Sequence, residues 1–406
     1  MGVLAITETV SWGVLYYAFA VFQVPMGMEL GLTSAQLTGA FSLAVLMTGV
    51  AGVWVGRCLD ARGPRGLMTA GALMSAGLVA AWSQVQTVWQ LYVVFAAIGL
   101  VRATVLYEPA FAVIVRWFHH QRSNALLAVT LVAGFASTVA LPTANALTES
   151  LGWRDALLVL AAALAVLTVL PHWLVLRRDP ADLGLHPDGA AGPPPPEHGD
   201  AGFEQDARPR LRATASWAAK QKSFRWYAVA FACQSTAVII MAVHLVPLLL
   251  EYGHDPAFAA AAAGALGALS VTGRLVLTGA ARRVPVAAVT SVMFAVQGNA
   301  VIVLAVAGSS RVGAIAFVLL FGIGFGVGTV ARPALLAHAF GVARYATLSG
   351  LLALVITLAT TLGPVTAGAA RTTTGTYGPV LIFVGVLCGV AALGLLRAAR
   401  AHEVPS

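Results

Sequence analysis

Three arginines stand inside long apolar stretches of this 406-residue sequence, where a guanidinium needs a partner. In a bilayer such a charge costs about 2.5 to 3.5 kcal/mol, so its side chain is expected to face a cavity or a counter-ion. The planar guanidinium suits bidentate capture of a carboxylate. Arg274, beside Gly273, is therefore the first candidate for binding an anion, and Arg102 is the second. A structural salt bridge is the alternative for Arg274, and Arg332 before Pro333 is expected to reach the lipid headgroups.

Two carboxylates, Glu8 and Glu108, lie in equally apolar surroundings. Arg102 and Glu108 are six residues apart, about 240° around a helix, so they are not expected to pair with each other. A buried carboxylate that takes up and releases a proton is the group that a proton-driven process requires. One of the two is therefore expected to be a proton site. A static ion pair with an arginine is the alternative for Glu8.

Four further side chains are candidates for the wall of a binding cavity. Tyr16, Tyr17 and Tyr107 combine an apolar ring with a hydroxyl group and are expected to line such a cavity. His244, three residues before Pro247, would bind a ligand or titrate near neutral pH. The alternatives are ordinary aromatic packing for the tyrosines and a hydrogen bond to a neighbouring helix for the histidine.

The composition excludes a soluble enzyme. Hydrophobic residues make up 59% of the chain and charged residues only 10%, against roughly 25% in soluble domains. Continuously apolar runs of about 20 residues indicate membrane helices, not the alternating pattern of a barrel. The net charge of +8 is not arranged in a stripe with interleaved aromatics, so nucleic acid is not an expected partner. The three cysteines lack metal-ligand spacing, and neither a metal nor a cofactor is expected.

The apolar runs predict an all-α integral membrane protein with twelve transmembrane helices in two six-helix halves. The predicted spans cover residues 3–24, 34–56, 66–86, 88–117, 122–149, 152–175, 224–251, 256–281, 286–307, 310–339, 343–371 and 375–399. The N-terminal half is expected at 1–175 and the C-terminal half at 223–406. Residues 176–222 contain the run Pro193–Pro196 among Asp, Glu, Arg and Gly, which is typical of a linker. Because no small-residue cleavage site follows the first apolar run, we expect that run to be retained.

Positive charge is unevenly distributed between the two sides of the predicted bundle. Eighteen of the 24 Lys and Arg residues fall in the linker, the C-terminal tail and the loops of one side. Only Arg154, Arg311 and Arg371 fall on the other side. Cytoplasmic loops retain Lys and Arg, so both termini and the linker are predicted to be cytoplasmic. The protein is expected to be a multi-pass protein of the cytoplasmic (inner) membrane, in direct contact with the lipid bilayer.

A short motif, GRCLDARGPR, follows the second predicted span. Its Gly56, Asp60, Arg62, Gly63 and Arg65 resemble the G-x-x-x-D-R-x-G-R signature of the major facilitator superfamily of secondary transporters. Twelve helices in two halves are also similar to that superfamily. By this resemblance the segment is a gate. A tight glycine turn would bring Asp60 near helix termini and basic side chains, which would latch the cytoplasmic side in one state.

Within the superfamily, the sequence partly resembles the monocarboxylate and oxalate/formate branch. Ser11, Trp12 and Gly13 are similar to the first-span signature of that branch, and Glu8 lies one residue before the position of its acid. Arg274 occupies the position where those carriers have an arginine that binds the substrate carboxylate. The resemblance therefore implies a carboxylate as the transported solute.

These features predict a secondary active transporter, not an enzyme. It is expected to move a small organic anion, a monocarboxylate, by alternating access together with a proton, and to act as a monomer. A proton-driven exporter of drugs or toxic metabolites is the closest alternative. A transport-dead receptor or scaffold is a more distant one. The alternating glycines from Gly322 to Gly328 are expected to allow close approach of helices, not to bind phosphate.

Overall fold

The computed structural model describes residues 1–189 and 211–403, and these residues are almost entirely helical. Within them, twelve helices are long and apolar enough to cross a membrane. Six of these helices precede residues 190–210 and six follow. The prediction of an all-α membrane protein with twelve spanning helices in two sets of six is therefore confirmed.

The twelve helices are numbered here as spans 1 to 12 in chain order. Their bounds are Gly2–Leu30, Gln36–Arg62, Pro64–Ser83, Val88–Trp117, Arg122–Leu151, Trp153–Val175, Lys222–Glu251, Ala257–Ala280, Val286–Ala307, Arg311–Phe340, Tyr345–Thr374 and Gly378–Arg400.

Span 1 runs farther than its predicted end at residue 24. The helix continues through Pro25 to Leu30, and Gly31 ends it in the left-handed conformation at φ 63°. Spanning helices tolerate an internal proline because neighbouring groups satisfy the freed carbonyl. Span 2 then begins with a capping box. The Thr33 hydroxyl accepts a hydrogen bond from the Gln36 backbone N–H, and the Gln36 side-chain oxygen accepts one from the Thr33 backbone N–H.

Several spans are interrupted where the sequence is continuously apolar. Span 1 contains a π-helical turn at Gly13–Tyr17, and span 6 contains another at Ala165–Val169. Span 4 consists of two α-helices, Val88–Arg102 and Tyr107–Trp117, joined by a turn. Span 10 is broken at Gly326 between the α-helices Arg311–Phe325 and Val327–Phe340. Such interruptions re-aim the side chains around them and are frequent at functional sites.

The chain divides into two compact units. The first contains Met1–Leu211 with Phe340–Leu354, and the second contains Arg212–Ala339 with Val355–Ser406. Each unit has its own core with buried aromatic residues. Phe22 and Trp82 are fully buried in the core of the first unit, and Phe317 is fully buried in the core of the second. The first part of span 11, up to Leu354, therefore belongs to the first unit, and the remainder belongs to the second.

The start of the predicted linker is attached to the first unit. It forms short 3₁₀ turns at Pro180–Leu183 and Pro187–Gly189. Asp179 pairs with Arg116 at 3.1 Å. Asp188 accepts hydrogen bonds from the three backbone amides that precede span 5, those of residues 119–121. The proline run Pro193–Pro196 lies outside the described residues, and a helix resumes at Leu211–Lys220.

Candidate functional site

A group of aromatic rings surrounds the π-helical turn of span 1. The turn places Tyr16 and Tyr17 side by side, with ring centroids 5.2 Å apart. Trp12, just before the turn, lies 5.3 Å from the Tyr16 ring and 5.0 Å from the ring of Tyr107 in span 4. Phe41 of span 2 lies 5.1 Å from Tyr16. The three predicted tyrosines are therefore brought together within the first unit.

Arg102 contacts this aromatic group from the end of the first helix of span 4. Its side chain is only 3% exposed, and its guanidinium lies 5.0 Å from the Tyr16 ring centroid and 5.8 Å from that of Phe41. The Nε and Nη1 atoms are buried and have no hydrogen-bond partner in the part of the chain that the structure describes. Cation–π contacts orient a guanidinium but leave its N–H donors unused. The donors of Arg102 are therefore available to an anion.

Glu8 is the second buried ionisable group of the first unit, and it is fully buried in span 1. Neither carboxyl oxygen has a hydrogen-bond partner among residues 1–189 and 211–403. The Trp12 indole, one turn later, is close enough to interact with the Glu8 carboxyl, but its Nε1 is also without a hydrogen-bond partner there. The charge of Glu108 also acts on Glu8, so the two predicted carboxylates lie in the same region.

Glu108 has a different environment. It stands in the first turn of the second helix of span 4, and its Oε2 accepts a hydrogen bond from the Ser349 hydroxyl of span 11. The turn between the helices of span 4 also changes the geometry expected for Arg102 and Glu108. The 240° separation assumed one continuous helix, whereas the chain leaves the helix after Arg102 and re-enters it at Tyr107.

The gate motif makes its contacts at the first turn of span 11. Asp60 accepts hydrogen bonds from the Thr347 amide at 2.8 Å, the Thr347 hydroxyl at 2.6 Å and the Ala346 amide at 3.2 Å. A carboxylate here also complements the positive end of the helix dipole. Arg116 lies 4.0 Å from Asp60. Gly56 is required by packing, because a Cβ there would overlap the Ala346 carbonyl.

The remaining motif residues lie at the turn between spans 2 and 3. Gly63 has φ 79°, a conformation that favours glycine, and it packs against the side chain of Arg178. Arg65 donates from Nε to the Trp173 carbonyl at 2.7 Å and lies 4.4 Å from the Trp173 ring centroid. Arg62 is exposed. Asp60 is thus the motif residue that contacts span 11 through its side chain.

Arg274 lies in the second unit, in span 8, and is partly buried. Its Nε is near Gly326, where span 10 is broken between two α-helices. The adjoining Gly273 lets span 8 approach span 10 closely, because a Cβ there would overlap the Ile323 carbonyl. Arg274 interacts with the protein, as Arg102 does with the Tyr16 and Phe41 rings. Arg274 was the first candidate from the sequence, and Arg102 is the more deeply buried of the two.

The glycines of span 10 allow close helix packing, as the sequence predicts. Each faces a different neighbour within the second unit. Gly322, Gly324 and Gly328 face the side chains of Leu269, Gln297 and Gln234, and Gly326 faces the backbone of Ser270 and the side chain of Arg274.

His244 is hydrogen-bonded to its neighbours within the second unit. Its Nε2 lies 3.1 Å from the Pro364 carbonyl and its Nδ1 lies 3.3 Å from the Tyr377 hydroxyl. Because a carbonyl only accepts, Nε2 carries the proton and Nδ1 accepts from the tyrosine. Burial raises the pKa of Tyr377, which stands between spans 11 and 12. The structure thus shows the contact to a neighbouring helix that was the alternative for His244.

Several residues of these sites were missed by sequence reasoning. Phe41, Thr347 and Ser349 are ordinary residues of spanning helices, and no local pattern distinguishes them. Trp12 carried a local signal, since it lies one turn after Glu8 on the same helix face. Among the described residues, no group of three or more His, Cys, Asp or Glu side chains could hold a metal ion.

Comparisons with known proteins agree on one family. The profile of the Major Facilitator Superfamily matches residues 4–364. The chain is 26% identical over 396 residues to an "MFS-type transporter" of Gibberella moniliformis, covering 93% of this chain and 88% of that protein. The crystal structure of the transporter FucP in its outward conformation has a TM-score of 0.76 at 14% identity, over 99% of this chain and 98% of that one. A structure of the E. coli fucose:proton symporter FucP gives 0.74 at 13% identity, with the same coverage. At such identities the two structures show the fold alone.

Proposed function

Because this chain belongs to the Major Facilitator Superfamily and is therefore a multi-pass membrane transporter, we propose that it carries a small organic anion, a monocarboxylate, together with a proton. The observation that carries the proposal is the buried guanidinium of Arg102, whose Nε and Nη1 have no protein partner among the described residues. A buried cation without a counter-ion is costly, and a bound carboxylate removes that cost by a bidentate pair.

The aromatic rings around Arg102 define the rest of the proposed binding site in the first unit. Tyr16 holds the guanidinium by a cation–π contact, and Tyr17 and Tyr107 extend the ring surface. In the second unit we propose Arg274 and His244 as further contacts. His244 is oriented by its contacts with the Pro364 carbonyl and the Tyr377 hydroxyl.

Glu8 is the proposed proton site. A carboxyl group that is buried without a hydrogen bond is more stable protonated than ionised, because burial of the unpaired anion is costly. FucP, which has the same fold, is a fucose:proton symporter, so proton coupling is compatible with this architecture.

The proposed transport cycle is alternating access, with the gate motif acting on the cytoplasmic side. Asp60 would hold the start of span 11 in one state and release it in the other. We further propose the organisation predicted from the sequence. It has halves at 1–175 and 223–406, a cytoplasmic linker at 176–222 and cytoplasmic termini, in a monomer of the cytoplasmic membrane.

Uptake into proteoliposomes tests the proposal. Labelled lactate, pyruvate, oxalate and benzoate would be supplied with and without an imposed pH gradient, to wild type, Arg102→Gln and Arg311→Gln. Arg311 is the matched control, because its side chain is 72% exposed and paired with Asp255. Loss of a buried charge contact costs about 2 to 5 kcal/mol, so Arg102→Gln should lower kcat/KM about 30- to 5,000-fold. Wild-type uptake by folded Arg102→Gln would refute the role of Arg102.

A second candidate function is proton-driven export of drugs or toxic metabolites. The observation that favours it is the clustering of Trp12, Tyr16, Tyr17 and Tyr107, which offers a large aromatic surface. Proteoliposomes loaded with a fluorescent aromatic cation distinguish the two functions. Gradient-driven movement of that cation, without uptake of any carboxylate, would favour export.

A further inference from the structure

The geometry points to a carboxylate attached to a flat aromatic ring as the substrate of the site around Arg102. This inference rests on the proposed function and narrows its substrate class from small organic anions to aromatic acids. The carboxylate would pair with Arg102, and the ring would lie among Trp12, Tyr16 and Tyr107.

The rings around the proposed site are tilted against one another. The Trp12 ring makes interplanar angles of 59° with Tyr16, 41° with Tyr17 and 45° with Tyr107. All four of these residues are partly exposed. One of the four, Tyr107, also stacks on Phe111 at an interplanar angle of 8°, which occupies one face of its ring. Tilted, partly exposed rings leave faces and edges that a planar ring can contact, whereas a stacked pair has used one face of each ring.

Two buried polar groups lie beside this ring surface. Arg102 lies 5.0 Å from the Tyr16 ring centroid, and the Trp12 ring lies 5.3 Å from the same ring. The Trp12 Nε1 is a buried donor that, like the Arg102 Nε and Nη1, lacks a hydrogen-bond partner among the described residues. A buried donor without an acceptor is rare in folded proteins. The inference is that one bound aromatic acid contacts both groups.

A small aliphatic acid would satisfy only the arginine. Lactate or propionate could pair with the Arg102 guanidinium, but neither has a ring to contact Trp12, Tyr16 and Tyr107. Because ring contacts contribute in addition to the carboxylate pair, aromatic acids should bind more tightly than aliphatic ones of the same charge. The inference therefore concerns selectivity, which is measured separately from the dependence of transport on Arg102.

The test compares uptake of labelled benzoate and indole-3-acetate with that of propionate in wild-type proteoliposomes. We expect KM for the aromatic acids to be about tenfold lower than for propionate. In Trp12→Leu this preference should fall about two- to tenfold, and in Trp12→Phe, which keeps a ring, it should largely persist. Trp89→Leu is the control, because Trp89 is 77% exposed and lies far along span 4 from Arg102.

The outcomes separate the inference from the proposed function. If wild type had a KM for propionate equal to or lower than its KM for the aromatic acids, and uptake still depended on Arg102, the inference of an aromatic substrate would be overturned. The proposed anion transport would stand. Uptake of both acid classes that is independent of Arg102 would overturn both. The wild-type comparison needs no variant, so the inference is decided even if Trp12→Leu does not fold.

Discussion

Glu8 and Arg102 are both buried in the first unit, yet they are not arranged as an ion pair. The charge that acts on Glu8 is that of Glu108, and the titratable group that acts on Arg102 is Tyr16. An ion pair between Glu8 and Arg102 would lower the cost of burial for both side chains. In the proposed function, this separation keeps each residue available for a different ligand, a proton for Glu8 and an anion for Arg102.

Replacement of Glu8 tests the proton site at the level of one residue. Glu8→Gln keeps the size and burial of the side chain but cannot exchange a proton in the physiological range. We expect anion exchange between equal compartments to persist, while stimulation of uptake by an imposed pH gradient falls at least about tenfold. Glu149→Gln is the control, because Glu149 is exposed and bonded to Asn145. Unchanged stimulation in Glu8→Gln would show that the proton binds elsewhere.

Asp255 offers a pH-dependent prediction outside the membrane spans. It caps the helix that begins at Pro256, and the backbone hydrogen bond from Phe258 holds the pKa of its carboxyl below its ordinary value. A lowered pKa means that the carboxylate stabilises the fold at neutral pH and that this contribution is lost as the pH falls through the lowered value. At pH 7, wild type should therefore have a higher melting temperature than Asp255→Ala.

The same melting measurement at low pH completes this test. The difference between wild type and Asp255→Ala should shrink as the pH falls below about 4, where the unfolded chain begins to take up the proton, and should vanish as the pH falls through the lowered native pKa. A difference that stays constant from pH 7 to pH 3 would show that the charge of Asp255 does not contribute.

Interrupted helices are the feature of this protein at the scale of its elements. The π-helical turn of span 1 puts Tyr16 and Tyr17 next to Trp12, and the break in span 4 places Arg102 at the end of one helix and Tyr107 at the start of the next. The site in the first unit is therefore built where regular helix geometry is lost. In a membrane this is possible because the freed backbone groups are enclosed by protein, not by lipid.

The contact between Asp60 and the start of span 11 is a second element-scale feature. Asp60→Asn keeps the shape of the side chain but weakens a helix cap whose loss costs about 0.5 to 2 kcal/mol. Amide hydrogen exchange at Ala346 and Thr347 should therefore be about two- to thirtyfold faster in the variant. Asp155→Asn, at an exposed position in the first turn of span 6, should leave this exchange unchanged. Equal exchange in Asp60→Asn and wild type would show that these hydrogen bonds do not protect the helix start.

The close approach of spans 8 and 10 can be tested with two glycine substitutions in span 8. Gly273→Ala would place a Cβ against the Ile323 carbonyl, whereas the Cβ of Gly264→Ala would enter open space. Overpacking of this kind costs about 1 to 3 kcal/mol, while alanine in an open helical position stabilises by about 0.5 to 1 kcal/mol. In thermal unfolding in detergent, Gly273→Ala should therefore have a lower melting temperature than wild type, and Gly264→Ala a higher one. Equal stability would show that spans 8 and 10 do not pack closely.

At the scale of the whole molecule, the distribution of Lys and Arg predicts the orientation in the membrane. A reporter domain that is active only in the cytoplasm should be active when it is fused after Ser406 or inserted after Arg283. A reporter domain that is active only outside the cytoplasm should be active when it is inserted after Ser310. The opposite pattern, or a mixed one at any of the three sites, would contradict the predicted topology.

The sequence by itself determined the properties that are local along the chain. Membrane spans are recognised because the hydrocarbon thickness requires about 20 apolar residues in succession, and the Asp60 motif is recognised because its glycines and charges lie within ten positions. A carboxylate or guanidinium is conspicuous in apolar sequence. For that reason Arg102, Glu8, Glu108 and Asp60 stand out from the order of residues alone.

The tertiary structure decided which of those groups have partners. Glu108 bonds Ser349 and Asp60 bonds Thr347 across more than 200 positions of sequence, and no spacing rule connects such residues. Regular helix geometry also failed at span 4, where the chain leaves the helix after Arg102 and re-enters it at Tyr107, two residues before Pro109. Arg274 and Arg102 look alike in the sequence, but the structure gives them different surroundings. Arg102 is almost fully buried against aromatic rings, whereas Arg274 is partly buried beside Gly326.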